Sequence, residues 1–162
     1  MRKLVILFAG IGVLALVNYS IYQRERLLSN GRIVYLQLAP VDPRSLMQGD
    51  YMALRYTLER EIPWNEDLRD HLAVVTLDDR GIGHFQRLEN GHKPDELVVR
   101  FRVREGRVQI GADAFFFQEG DANYYSNARY GEARVSESGD VILAALCDEN
   151  LKRLGPPASA RP

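Results

Sequence analysis

Leu97-Val98-Val99-Arg100-Phe101-Arg102-Val103-Arg104-Glu105-Gly106-Arg107-Val108-Gln109-Ile110 is the stretch that decides the fold. Leu97, Val99, Phe101 and Val103 alternate with Val98, Arg100 and Arg102, the two-residue period of a strand with one face buried. Glu105-Gly106 is a tight-turn pair, so the chain doubles back into a second run, Val108 to Ala112. The same pattern extends in both directions. Upstream, Ile33 to Leu38 is β-branched and aromatic. Tyr51 to Leu58 sets Met52, Leu54, Tyr56 and Leu58 on one face and Tyr51, Ala53, Arg55 and Thr57 on the other. Leu72 to Leu77 and Ile82 to Leu88 flank an Asp79-Arg80-Gly81 turn, and Ala133 to Val135 and Val141 to Cys147 flank Glu137-Ser138-Gly139-Asp140. About seven or eight such strands imply a mostly β fold, an antiparallel sandwich or partly open barrel. Helix is confined to one or two short turns, Pro63 to Arg69 and Asp121 to Ala128.

The first 23 residues obey a different rule. Arg2 and Lys3 precede Leu4 to Tyr22, 19 residues without a charge. At helical rise they span roughly 28 Å, close to the hydrocarbon thickness of a bilayer. Tyr19 and Tyr22 fall at the outer end, where amphipathic aromatics favour the headgroup level. A cleaved signal peptide needs small residues before the cleavage site, and Ala15 and Val17 frame one poorly. No Cys follows the run to take a lipid, and a helix buried in a soluble fold is the remaining rival. The expectation is a single N-terminal transmembrane helix over 1–23, a β domain over 24–154 and a disordered tail over 155–162. Arg2, Lys3 and the terminal amine favour a cytoplasmic N-terminus and a periplasmic domain in a bacterial inner membrane, a bias that Arg24 and Arg26 weaken.

Composition narrows the function. The 21 basic and 22 acidic residues give a net charge of −1, with no basic tract to neutralise nucleic-acid phosphates. Cys147 is the only cysteine, so no internal disulfide forms, and its apolar run marks it as a core residue rather than a nucleophile.

The remaining informative segment is Leu38-Ala39-Pro40-Val41-Asp42-Pro43-Arg44-Ser45-Leu46-Met47-Gln48-Gly49-Asp50-Tyr51. Asp42 before Pro43 is a helix start, and Gly49 is suited to end that turn in a left-handed conformation. Asp50 then leads into a strand, with Arg44 placed to return to Asp42 or Asp50. That account needs no chemistry. Gly49-Asp50-Tyr51 with Leu54 and Tyr56, preceded by Asp42-Pro43-Arg44-Ser45-Leu46, resembles the GDYXXLXY family, which is named for this pattern. Phe116-Phe117-Gln118-Glu119-Gly120 resembles the family's second element. The likeness covers roughly residues 30 to 150, about one domain. It implies a membrane-anchored bacterial protein that accompanies a multi-spanning membrane protein, and it supplies no catalytic residue.

Catalytic readings fare worse. A signal-peptidase-like hydrolase needs a serine nucleophile and a neutral lysine. Ser45 lies too close to Gly49 for that pattern, and the lysines are only Lys3, Lys93 and Lys152. His71, His84 and His92 fit no metal-ligand spacing, and Asp113, Glu119 and Asp121 lack the alternation of a calcium loop. No glycine-rich phosphate loop opens a helix. No cofactor is implied.

Glu119 has two readings. As a turn acid it ends a strand; at the rim of an apolar pocket it would bind a cationic group. In a strand, Tyr51 and Tyr56 have opposite parity, which makes Tyr56 the core residue and Tyr51, with Arg55, the exposed one. The leading expectation is a non-enzymatic accessory subunit whose binding residues are Arg44, Asp50, Tyr51, Arg55 and Glu119, with Asp42, Pro43, Gly49, Leu54, Tyr56 and Gly120 shaping the motif. A membrane-bound envelope hydrolase and a ligand-binding sensor module are the alternatives.

Overall fold

A computed structural model describes residues 2–39, 47–48, 51–63, 70–91 and 96–157. The N-terminal helix α1 (Arg2–Asn30) is 29 residues long. It runs on past residue 23 through Gln23-Arg24-Glu25-Arg26-Leu27-Leu28, because these are good helix formers and Gly31 is the first breaker. From Leu7 to Tyr22 every residue is exposed, on all sides of the helix. Among the described residues no helix is long and apolar enough to cross a membrane.

The rest is mostly β and wholly antiparallel within its sheets. The strands are β1 (Arg32–Gln37), β2 (Met47–Gln48), β3 (Tyr51–Ala53), β4 (Asp70–Leu77), β5 (Gly83–Leu88), β6 (Leu97–Arg104), β7 (Arg107–Ile110), β8 (Ala114–Phe116), β9 (Tyr130–Val135) and β10 (Val141–Cys147). Short helices α2 (Thr57–Glu61) and α3 (Ala122–Tyr125) interrupt them. Three sheets form among the described residues, ordered β1-β9-β10, β2-β3-β8 and β5-β4-β6-β7. The amide of Tyr35 donates to the Gly81 carbonyl at 3.0 Å, which joins β1 to the start of β5. The amide of Arg100 on β6 donates to Gly139, in the β9–β10 turn, at 2.7 Å. These two links curve the larger sheets into a half-barrel.

The alternation seen in the sequence fills its interior. Val34 and Leu36, Ala73 and Val75, Leu97, Val99 and Phe101, Val108 and Ile110, Ala133 and Val135, and Leu146 meet in one core. The Glu105-Gly106 pair makes the β6–β7 turn with φ of 52° and 70°, both left-handed, as a two-residue hairpin requires.

One expectation changes. Tyr51 to Leu58 is not one strand: it leaves the sheet after Ala53, makes a single bridge at Tyr56 and enters α2. Met52, Leu54, Tyr56 and Leu58 nevertheless all reach the core, since the helix begins only after the alternation has set three of them. The reason for the switch is Glu59. Its carboxylate accepts from the Tyr56 amide at 3.3 Å and from Ile110, at the end of β7, at 3.0 Å, and so fixes a helical turn against the neighbouring strand. The expected tail is described only as far as Pro157, and the expected helix of Pro63 to Arg69 lies, after Pro63, outside the described residues.

Candidate functional site

Of the proposed binding and motif residues, Asp42, Pro43, Arg44, Gly49 and Asp50 lie outside the described residues, as do Ser45, His92 and Lys93. Those described divide into an inward set and an outward set. Tyr56 is the inward anchor, 2% exposed. Its hydroxyl donates to the Ala112 carbonyl at 3.4 Å, and burial, then the Glu59 and Asp113 carboxylates, push its phenol well above the usual range. Its ring lies over Gly131 of β9, where an added Cβ would meet Tyr56 Cε1 at 3.3 Å and Leu143 Cδ1 at 2.9 Å. Gly131 is therefore the space that the motif's second tyrosine occupies. Leu54 is buried beside it, and its amide donates to the Asp113 carbonyl at 2.8 Å. Glu59 is raised by burial, an effect its two amide donors and Arg55 only partly offset.

The outward set begins at Tyr51. On β3 it stands opposite Phe116 of β8, ring centroids 5.8 Å apart and tilted by 42°. Tyr51 is half-buried rather than fully exposed, because Phe116 covers one side of it. Phe116 itself is 73% exposed. Its neighbours turn the other way: Phe115 meets the Tyr125 ring edge-on at 5.1 Å and Phe117 stacks on it at 5.3 Å. Arg55, of Tyr51 parity, is half-buried, and its carbonyl accepts from the Ala39 amide at 2.7 Å. Glu119 is exposed on the turn from Gln118 to Asp121, and Gly120 there has φ of 90°, which a side chain would strain. An exposed phenylalanine beside the tyrosine of the motif strand can bind an apolar or cationic group on another molecule. Glu119 is not brought into contact with it by any interaction among the described residues.

Sequence reasoning missed a second cluster. Glu132, on β9 opposite Tyr35 of β1 and Ala145 of β10, is 3% exposed. Arg153 Nε and Nη2 donate to its two oxygens at 2.7 and 2.6 Å, and Arg134 Nη2 stands 3.7 Å away. Hydrogen bonding to Arg153 holds the Glu132 carboxyl below the usual carboxylate range against the opposing cost of burial. Burial and the Glu132 charge raise the Tyr35 phenol and push the Cys147 thiol up to about 11. Arg134 Nη1 also donates to the Gly31 carbonyl at 3.3 Å, tying β9 to the foot of α1. A charged residue inside Tyr130-Gly131-Glu132-Ala133-Arg134-Val135 was the available signal; its partner, Arg153, lies just before the stretch expected to be a disordered tail. This cluster holds the C-terminal segment down, and its chemistry is that of a structural ion pair.

His71 lies against Phe101 with ring centroids 6.4 Å apart and the planes tilted by 32°, while His84 lies 3.7 Å from Asp78, and Cys147 is fully buried. Among the described residues no group of His, Cys, Asp and Glu gathers closely enough to hold a metal ion. No curated protein and no solved structure matches the chain. The family model described as GDYXXLXY protein matches residues 13–146, most of the chain. With its motif strand in place, Tyr56 inside and Tyr51 outside, this protein is a member of the GDYXXLXY family.

Proposed function

We propose that the protein is a single-pass membrane protein whose β domain binds the extramembrane loops of a multi-spanning membrane protein as a non-enzymatic accessory subunit. The observation that carries this reading is the Tyr51–Phe116 pair, in which the exposed Phe116 of β8 lies beside the half-buried Tyr51 of the strand that contains the family motif. Aromatic residues outside a monomer's core are enriched at the centres of protein interfaces. The anchor is supported by the uncharged run from Leu4 to Tyr22 and by the exposure of Leu7, Phe8, Ile11, Val13, Leu14, Leu16 and Val17. These cover every face of α1, the pattern of a helix solvated by lipid. Gly10, Gly12, Ala9 and Ala15 offer small residues for close packing against a partner helix. Arg2 and Lys3 favour a cytoplasmic N-terminus and a periplasmic domain, against the weaker opposing pull of Arg24 and Arg26.

The test is crosslinking of the full chain in its native membrane, followed by mild-detergent purification and mass spectrometry. One multi-spanning protein should be recovered in near-equal amount and lost with Tyr51→Ala or Phe116→Ser. Phe116→Ser, at an exposed position, should change stability by no more than about 0.5 kcal/mol. Recovery of the chain alone would sink the reading.

A further inference from the structure

Between the outer end of α1 and the β6 face lies a groove of about 1340 Å³ whose lining is rich in arginine. Tyr19, Tyr22, Arg24 and Arg26 line it from the helix, Arg32 from the start of β1, and Arg100, Arg102 and Arg104 from β6. The β6 residues share one parity, opposite to the core residues Leu97, Val99 and Phe101, and so stand in a row roughly 7 Å apart. Of these six arginines only Arg100 has an ion-pair partner among the described residues, Asp140 at 3.2 Å. The carboxylates in the lining do not balance them. Glu96 is bound by Arg87 at 2.7 Å and Asp140 by Arg100, which leaves Asp113 and Glu137. Among the described residues five of these guanidinium groups have no ion-pair partner, so in a chain whose net charge is −1 the groove is a local cationic surface suited to an external anion.

We propose that this groove seats the headgroups of anionic phospholipids of the membrane in which α1 is anchored, and so holds the domain flat against that surface. The inference rests on the anchor reading above. If Leu4 to Tyr22 occupies the hydrocarbon, Tyr19 and Tyr22 mark the headgroup level and the groove opens there. Arginine suits the occupant, because its planar fork binds phosphate oxygens in pairs. Each basic residue close to an anionic bilayer strengthens attachment about fivefold.

The test uses the full chain in nanodiscs of phosphatidylcholine with or without phosphatidylglycerol. Gln109→Cys, in the groove lining, carries a fluorophore; buried Cys147 leaves it the sole accessible thiol. Quenching by a headgroup-labelled lipid reads how often the domain is docked. The expected result is stronger quenching with phosphatidylglycerol, and a docked-to-free ratio about tenfold or more lower in Arg102→Gln/Arg104→Gln, given two lost basic residues. Unaltered melting of that variant establishes that its fold is intact. Equal quenching in both lipids overturns the proposal, as does loss of the phosphatidylglycerol effect on adding inorganic phosphate at constant ionic strength, which would make the groove a soluble-anion site. Resistance of the wild type to alkaline extraction from native membranes scores the anchor separately. A chain that resists extraction yet ignores phosphatidylglycerol loses the groove and keeps the anchor; a chain that is extracted loses both.

Discussion

Arg153 grips Glu132 with two hydrogen bonds of 2.7 and 2.6 Å, although Arg153 is 59% exposed and Glu132 is almost wholly enclosed. The pair joins the segment after β10 to the middle strand of the β1-β9-β10 sheet. Removing the cation strands a buried carboxylate, with only Arg134 at 3.7 Å to compensate. Arg153→Gln should therefore cost about 2–4 kcal/mol in urea unfolding of the full chain. Glu132→Gln combined with Arg153→Gln should cost less than the sum of the single changes; strict additivity would show that the pair is not coupled.

Glu132 and Glu59 should impose opposite pH dependences. The folded-state value of Glu132 is lowered, by Arg153 first, so its contribution is complete above the unfolded carboxylate value of about 4.3 and is lost as pH falls through the lower folded value. Glu132→Gln should flatten the acid limb of the stability curve below about pH 4.3. Glu59 is raised by burial, so its contribution is complete below that unfolded value and is lost as pH rises through the folded one. The stability advantage of wild type over Glu59→Gln should shrink on that rise. Unfolding midpoints across a pH series check both, and parallel curves for all three proteins would refute the assignment.

Gly131→Ala should destabilise the fold by about 1–3 kcal/mol, the usual range for overpacking a filled core. The new methyl meets Leu143 Cδ1 at 2.9 Å and the Tyr56 ring at 3.3 Å. The leucine tip can move and the buried tyrosine cannot. Adding Leu143→Ala should return part of the loss in thermal unfolding, and no recovery would place the strain on Tyr56 alone.

Cys147 should resist thiol reagents at neutral pH in the folded chain. It is fully buried with its thiol pushed up to about 11, so little thiolate forms and little reagent reaches it. Labelling should appear in step with urea unfolding; rapid labelling of the native chain would contradict its placement.

Local alternation fixed much of this molecule in advance. The β4–β5, β6–β7 and β9–β10 hairpins follow from two-residue periodicity and turn pairs a few residues apart, which act before any distant contact forms. The same parity put Tyr56 inside and Tyr51 on the other face, even though the strand that carried the argument ends at Ala53. Parity survives because three of the four inward residues precede the helix.

What the sequence by itself determined, then, is the set of local hairpins, the inward face of the motif, the uncharged N-terminal run and the family pattern. Tertiary structure alone decided that Phe116 of three successive phenylalanines faces outward, since β8 takes its direction from β3, more than sixty residues earlier. It alone turned Thr57–Glu61 into helix, through a carboxylate that reaches Ile110, and paired Glu132 with an arginine 21 residues away. Neighbouring residues reveal a period, but the partner of a lone charge or an odd aromatic is chosen by which distant element the fold brings beside it, and no local pattern encodes that choice.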